Sequence, residues 1–258
     1  LTYKDLRKAI QSVSADVSVV ILDSCASGSL TRLKGGQKRP AFLSDALSKL
    51  KGYVVLTSAS AEEAAQESER IKGSYFTHYL VSGLRGGADI TADRKVTLNE
   101  AYQYAYYQTL AGTEKTMAGA QHPSYSIQLT GSGELVMTDV RKTSAQLLLP
   151  HTMTGRFFVR DSSNKIVAEV EKLTAKPLSL GFEKGEYSLL WVKDKMQVSQ
   201  ASVTLQQNQT VEMRVADFQG VETEKTRLRG ADAELAGALN ENPAGPLQEE
   251  DYVRIPAE

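Results

Sequence analysis

Cysteine is almost absent from this chain of 258 residues: Cys25 is its single example, so no disulfide can form within the chain. No run approaches the roughly 18 uninterrupted apolar residues of a membrane-spanning helix. An excess of one charge is lacking as well, because 30 basic residues oppose 31 acidic ones. No overall field therefore favours nucleic acid or a membrane surface as a partner. The composition is that of a soluble globular protein, and it assigns no compartment.

Several catalytic and cofactor motifs are also missing. The chain contains no G-x-S-x-G, H-E-x-x-H or Walker A sequence and no Rossmann glycine motif at a strand-to-helix turn, so no cofactor is expected. Its first residues, LTYKDLRKAI, are charged and helix-periodic, unlike a signal peptide. Because Leu1 is not a natural start, we expect a segment upstream of this chain.

The first half of the chain alternates between predicted strands and predicted helices. The continuous apolar runs DVSVVILD and YVVLTSAS predict strands that are covered on both faces. In VTLNEAYQYAYYQTL, Thr97 and Glu100 predict a capping box at the start of a helix. Gly52 is expected to end a short helix, SDALSKLKG, and PSYSIQLTGSGELVM is expected to form an edge hairpin. The alternation predicts an α/β domain with a mostly parallel sheet flanked by helices over residues 1–138.

After residue 138 the period of the pattern changes. Short runs such as GRFFVR, KIVAEV and EYSLLWV are separated by turn residues and alternate in polarity, which predicts a small all-β sandwich over residues 143–217. A shared face is predicted for Tyr187, Leu189 and Trp191, and another for Phe157 and Val159. Residues 220–258 are charged and contain few large apolar side chains, which predicts a flexible or loosely helical tail.

Cys25 lies just past the end of the first predicted strand. In open α/β sheets, reacting groups collect outside the carboxyl ends of the strands. The small residues Ala26, Ser27 and Gly28 follow the cysteine, which allows a substrate backbone to approach the sulfur and leaves N–H groups free to face an oxyanion. A lone cysteine is more often a small buried hydrophobe, but this position favours a nucleophile.

The segment VVILDSCASG is similar to the nucleophile segment of the caspase-like cysteine peptidases, in particular the bacterial metacaspase (orthocaspase) type with its D-x-C-x-S-G pattern. Asp23, Cys25, Ser27 and Gly28 match that pattern. Two later segments, YVVLTSASAEEAAQES and GSYFTHYLVSGLRGGADITADRKVTLNEAYQYA, resemble the next strand and the helices of bacterial members. The resemblance covers residues 1–138 and implies a caspase-like fold for them.

The resemblance implies a Cys–His dyad in which histidine accepts the thiol proton and the thiolate attacks the scissile carbonyl. The family histidine is expected about 50 residues before the cysteine, but only 24 residues precede Cys25 and none is histidine. We therefore expect the base on an upstream segment or chain of the same protein, without which this chain is expected to be inactive. His78 is expected to be a half-exposed helical residue, and neither His122 nor His151 is assigned a catalytic role.

The resemblance also implies a substrate pocket that selects Arg or Lys before the cut. Asp23, two residues before the cysteine, is one predicted acid of this pocket, and Glu62 is the other, with Glu63 or Glu67 as alternatives if the register shifts. Ser58, at the end of the second strand, is grouped with them. Two carboxylates facing one cavity suit a guanidinium that bridges both. The alternative interpretation is that the acids after residue 60 form a solvated helical face.

A basic loop follows the cysteine, and family members are often cut in this connection. A protease with a preference for basic residues could process itself there or before Leu1; the alternative is an uncut, solvated connection. The candidate self-cleavage residues are Arg32, Lys34, Lys38 and Arg39.

The segment DITADRKVTLNE superficially resembles a calcium-binding loop, but it lacks the spacing and central glycine of an EF-hand. A turn followed by a helix cap explains it better. Since some metacaspases use calcium, a weak calcium site among these acids stays open as an alternative to having no metal.

The leading hypothesis is a cysteine endopeptidase that cleaves protein or peptide substrates after Arg or Lys, with Cys25 as nucleophile. The rival is a non-catalytic caspase-like fragment or pseudo-peptidase that acts as a scaffold through its β domain.

Overall fold

The structure is a computed structural model that describes residues 3–24, 51–60, 63–173, 175–194 and 197–221. Within these ranges the chain has a mixed α/β fold in which strands predominate over helices and form several sheets. Several sequence predictions fall outside them: Cys25, Glu62, the short helix before Gly52, nearly all of the tail, and the self-cleavage residues Arg32, Lys34, Lys38 and Arg39.

The first sheet combines one parallel and one antiparallel pair. After helix α1 (Tyr3–Gln11), strand β1 (Val17–Leu22) runs parallel to β2 (Lys51–Thr57). Strand β6 (Ser124–Thr130) lies antiparallel on the other side of β2. Both predicted apolar runs therefore form strands, and both strands end at the same edge of the sheet, as parallel neighbours must. The predicted cover on both faces is confirmed for the last four residues of β2, but it was wrong for β1, where Ile21 is exposed.

Two small sheets and two helices lie beside the first sheet. Strand β3 (Glu67–Ser68) pairs with β4 (Gly73–Ser74), and β5 (Lys95–Thr97) pairs with β7 (Val136–Asp139). The hairpin prediction was therefore wrong, because β6 pairs with β2 and β7 pairs with β5. Between β6 and β7, Gly131 and Gly133 take φ values of 118° and 105°, which turn the chain away from the line of β6.

Helix α2 (Tyr75–Ser82) continues into a π-helical turn at Gly83–Gly87, and helix α3 (Leu98–Thr113) follows β5. The predicted capping box is confirmed: the Thr97 hydroxyl accepts from the N–H of Glu100, and the Glu100 carboxylate accepts from the N–H of Thr97. Helices and sheet bury a common core that includes Val54, Leu56 and Phe76. Within the described ranges, no helix is long and apolar enough to cross a membrane.

Among the described residues of the range 145–221, the regular elements are strands and one short 3₁₀ turn. These strands are β8 (Ala145–Leu149), β9 (Gly155–Asp161), β10 (Ile166–Lys172), β11 (Leu178–Phe182), β12 (Gly185–Asp194), β13 (Gln197–Leu205), β14 (Thr210–Glu212) and β15 (Gln219–Gly220).

The strands of the second half form two sheets around one core. One sheet has the order β10-β9-β12-β13-β15, and the other has the order β11-β8-β14. Side chains of both sheets, among them Leu147 and Leu189, are fully buried in this core. The predicted shared faces are confirmed, since Leu189 pairs with Val159 and Trp191 pairs with Phe157, with the two rings of the latter pair stacked at 5.7 Å.

A buried carboxylate on β10 connects the two halves of the chain. The side chain of Glu169 is 2% exposed, and its Oε2 lies 3.3 Å from Arg70 Nη2 and 3.3 Å from Nε2 of His78 in α2. Arg156 of β9 approaches Oε1 at 3.6 Å. Burial alone would raise the pKa of Glu169, but the His78 hydrogen bond and the two guanidinium charges outweigh it and lower the pKa to about 2.

Backbone and hydroxyl contacts support the same interface. The N–H of Glu169 donates to Ser82 Oγ at 3.0 Å, and the hydroxyl of Tyr104 donates to the carbonyl oxygen of Glu169 at 3.0 Å. Farther along, Arg85 donates to the carbonyl oxygen of Gly181 at 3.0 Å. The β strands of the second half are therefore bonded directly to the helices of the first.

Gly52 is the second residue of β2 rather than the last residue of a helix. Its φ of 130° is open to glycine, and an added Cβ would overlap the carbonyl oxygen of Gln128 in β6. We expect Gly52→Ala to lower the free energy of unfolding by about 1–3 kcal/mol from backbone strain, with the overlap adding to it. Gly73→Ala is the matched control, because nothing lies within 4 Å of its Cβ position. Equal urea midpoints for the two variants would contradict this account.

Glu169→Gln should be strongly destabilising near neutral pH. The change leaves Arg70 and Arg156 without their buried counter-charge, and loss of one partner of a buried ion pair typically costs about 3–5 kcal/mol. Urea unfolding at pH 7 would measure the loss. Glu186→Gln, at an exposed position of β12, should change the free energy of unfolding little.

The pH dependence of stability should change in the same variant. Because the pKa of Glu169 falls from 4.5 to about 2 on folding, its ionised form stabilises the protein above pH 4.5, and this contribution is lost as the pH falls towards 2. Urea midpoints measured through this window should fall less steeply for Glu169→Gln than for the unchanged protein. Parallel curves would show that Glu169 does not titrate with a lowered pKa.

Candidate functional site

The carboxyl ends of β1 and β2 are joined through Ser58. The N–H of Ser58 donates to the carbonyl oxygen of Leu22 at 2.9 Å, which extends the parallel ladder by one bond. Its buried hydroxyl donates to the carbonyl oxygen of Ser24 at 3.4 Å. Ser58 thus holds the backbone of the residue directly before Cys25, which itself lies outside the described residues.

Asp23 stands at the same edge, against the first turn of α2. One carboxylate oxygen accepts from the hydroxyl of Ser74 at 3.0 Å, and the other accepts from the hydroxyl of Thr77 at 2.5 Å. Ser74 is also the N-cap of α2. The exposed carboxylate is therefore held at the positive end of a helix dipole, which favours a negative charge there.

A second acid at this edge, Glu63, is paired with His122. The Glu63 carboxylate accepts from the backbone N–H of His122 at 2.9 Å and from its ring Nδ1 at 2.7 Å. Burial on its own would raise the pKa of Glu63, but the hydrogen bonds from His122 and Ser60 outweigh it and lower the pKa. Because a carboxylate can only accept, Nδ1 of the half-exposed His122 ring is the donor in this contact.

Buried Gln121 fixes the position of the Glu63–His122 pair. Its Nε2 donates to the carbonyl oxygen of Ser58 at 2.6 Å, and its Oε1 accepts from the N–H of Gln66 at 2.7 Å. The backbone N–H of Gln121 donates to Thr113 Oγ1 at 2.8 Å. Sequence reasoning missed this residue; the placement of a Gln-His-Pro sequence just before a strand was the available signal.

The structure therefore brings Asp23 and Ser58 to one edge, together with Glu63, one of the alternative acids. Glu62 lies outside the described residues. The interpretation of these acids as one helical face was wrong for the part that is described: Glu67 lies in β3, Glu69 lies in a turn, and Glu63 is bonded to His122. Tertiary hydrogen bonds across the sheet edge override the helical pattern of the sequence here.

His78 is more buried than the sequence indicated. Its side chain is 8% exposed because it packs against Glu169 of β10. Glu169 lies 91 residues away in sequence, so helical periodicity could not predict this burial. His151 is exposed in a turn. Neither histidine takes part in the hydrogen bonds described above for Asp23, Ser58 and Glu63.

The acidic segment before α3 forms the predicted turn and helix cap. Asp89 accepts from the N–H groups of Asp93 and Arg94 at 3.2 and 2.8 Å, and Glu100 accepts from Thr97. Burial raises the pKa of both Asp89 and Glu100. Among the described residues, no group of three or more potential metal ligands is found.

No family model, no curated protein and no solved structure matches this chain. The caspase-like resemblance therefore stays a prediction from the sequence motifs.

Gln121→Leu tests the network that connects Ser58 with the Glu63–His122 pair. Leucine fills a similar volume but leaves the Ser58 carbonyl and the Gln66 N–H unpaired, and we expect a loss of about 1–3 kcal/mol for each such group. Urea unfolding would measure it, with Gln200→Leu, at an exposed position of β13, as control. If both variants lose the same free energy, the buried network does not hold this edge together.

Proposed function

We propose that this protein is a cysteine endopeptidase of the caspase/metacaspase type that cleaves peptide bonds after Arg or Lys. One observation carries the proposal: the D-x-C-x-S-G motif begins where β1 ends, at the edge shared with the parallel strand β2. Reacting groups of α/β proteins collect at such an edge. The parallel β1–β2 pair is compatible with a caspase-like, mostly parallel core, in which residues 1–138 are the catalytic domain and residues 143–217 are an appended β-sandwich.

In the proposed reaction, the Cys25 thiol gives its proton to a histidine of an upstream segment. The thiolate attacks the scissile carbonyl carbon, the C–N bond breaks, and the leaving amine takes the proton from the histidine. Water then hydrolyses the thioester and regenerates the thiol. Backbone N–H groups after Cys25, where Ala26, Ser27 and Gly28 follow, would stabilise the oxyanion.

Specificity would come from Asp23 together with Glu62. Each carboxylate oxygen of Asp23 accepts one hydroxyl hydrogen bond, from Ser74 and from Thr77. Since a carboxylate oxygen can accept more than one hydrogen bond, both oxygens retain capacity for a guanidinium or an ammonium group. The hydroxyls fix the carboxylate before substrate arrives, which reduces the ordering cost of binding. The same preference would allow self-processing in the loop that contains Arg32, Lys34, Lys38 and Arg39.

The rival function is that of a non-catalytic caspase-like platform that acts as a scaffold through its β domain. Such a platform would carry the same motif at the end of β1.

Cleavage of short fluorogenic peptides that carry Arg, Lys or Asp before the cut separates the two functions. We expect the protein with its upstream segment to cleave the Arg and Lys peptides, and Cys25→Ala to abolish this. Asp23→Asn should raise KM for the basic peptides about tenfold or more, because a charge-assisted contact is lost. Absence of cysteine-dependent cleavage would favour the scaffold function, and a preference for Asp would overturn the acidic pocket.

A further inference from the structure

We propose that Glu169 of β10 is a positioning residue for substrate binding: it clamps the segment from Arg70 to His78, whose Ser74 and Thr77 hold Asp23. The inference rests on the proposed function in taking Asp23 as the acid that binds substrate. It assigns a role in the site to a residue of the second half of the chain, 146 positions after Asp23 in sequence (169 − 23).

The order of contacts along this segment carries the proposal. Arg70 and His78 both bind Oε2 of Glu169, at 3.3 Å each. Between them in sequence, Ser74 and Thr77 bind the two carboxylate oxygens of Asp23. The two residues that bind Asp23 therefore lie in sequence between Arg70 and His78, which both bind the carboxylate of Glu169.

Helix geometry makes the two sets of contacts interdependent. Thr77 and His78 are consecutive residues of α2, so their side chains point about 100° apart around the helix axis, one towards Asp23 and one towards β10. A rotation or shift of the helix that loosens His78 from Glu169 must therefore also move the Thr77 hydroxyl relative to Asp23. The contact with Asp23 is the more exposed of the two and the easier to break.

The remaining contacts of Glu169 make its carboxylate separable from the docking of the helix. The backbone N–H and carbonyl oxygen of Glu169 bind Ser82 and Tyr104 irrespective of the side chain. Arg156 approaches the carboxylate from β9, within the same sheet. Glu169→Gln therefore removes the charge that anchors Arg70 and His78, while the backbone contacts that dock α2 onto β10 stay available.

Hydrogen exchange read by mass spectrometry tests the clamp without any reaction. In Glu169→Gln, amide exchange in residues 70–78 should rise at least about tenfold more than exchange in β12, because β12 reports the global loss of stability whereas opening of residues 70–78 is controlled by local contacts. Glu186→Gln, exposed on β12, should leave residues 70–78 as they are. Should Glu169→Gln not fold, Arg70→Gln removes one anchor, keeps Arg156 and His78 on the carboxylate, and should raise exchange at the start of the segment. Unchanged exchange in a folded variant overturns the proposal.

Peptide kinetics test whether the clamp serves Asp23. Glu169→Gln should raise KM for an Arg peptide several-fold with kcat changed little, and it should have no further effect on KM when Asp23 is already Asn, because the two substitutions then act on one interaction. A purely structural role would lower kcat and raise KM alike in both backgrounds, and that result overturns the proposal. If the unchanged protein cleaves no peptide, the proposed function fails. The exchange measurement still tests whether Glu169 holds residues 70–78 in place.

Discussion

The buried carboxylate of Glu169 is the interaction on which the arrangement of the two halves depends. An ionised carboxylate that is 2% exposed is tolerated only where cations and donors replace water. Arg70, His78 and Arg156 provide that replacement from a turn, a helix and a neighbouring strand. Ion pairs and hydrogen bonds stabilise the fold only at short distances and suitable angles. The carboxylate therefore restricts the position of α2 on β10 more than apolar packing alone would.

The edge where β1 and β2 end is organised by polar contacts of the same directional kind. Ser58 connects the two strand ends, and Gln121 connects Ser58 with the Glu63–His122 pair. Asp23 is held independently by the hydroxyls at the start of α2. Each acid at this edge thus has its own donors, which hold the two carboxylates at fixed positions.

The errors of sequence reasoning share a cause. A helical face was considered for the acids after β2, a half-exposed position was expected for His78, and a helix end was expected at Gly52. In each case the local pattern was compatible with the expectation, but a partner distant in sequence decides the outcome: His122 for Glu63, Glu169 for His78, and the backbone of Gln128 for Gly52. Where no distant partner competes, as at the capping box of Thr97 and Glu100, the local prediction is confirmed.

The sequence by itself determined β1, β2 and the longer strands of the second half, the shared faces of β9 and β12 and the cap of α3, because side-chain periodicity and capping act over a few neighbouring residues. It also determined which residues are candidates for chemistry, since Asp23 and Ser58 follow apolar runs that become parallel strands. Only the tertiary structure decided how the candidates are held. Thr77 meets Asp23 across 54 positions, His122 meets Glu63 across 59, and His78 meets Glu169 across 91. Such pairings depend on how the sheets and helices pack, and periodicity within one element carries no information about which element will lie opposite.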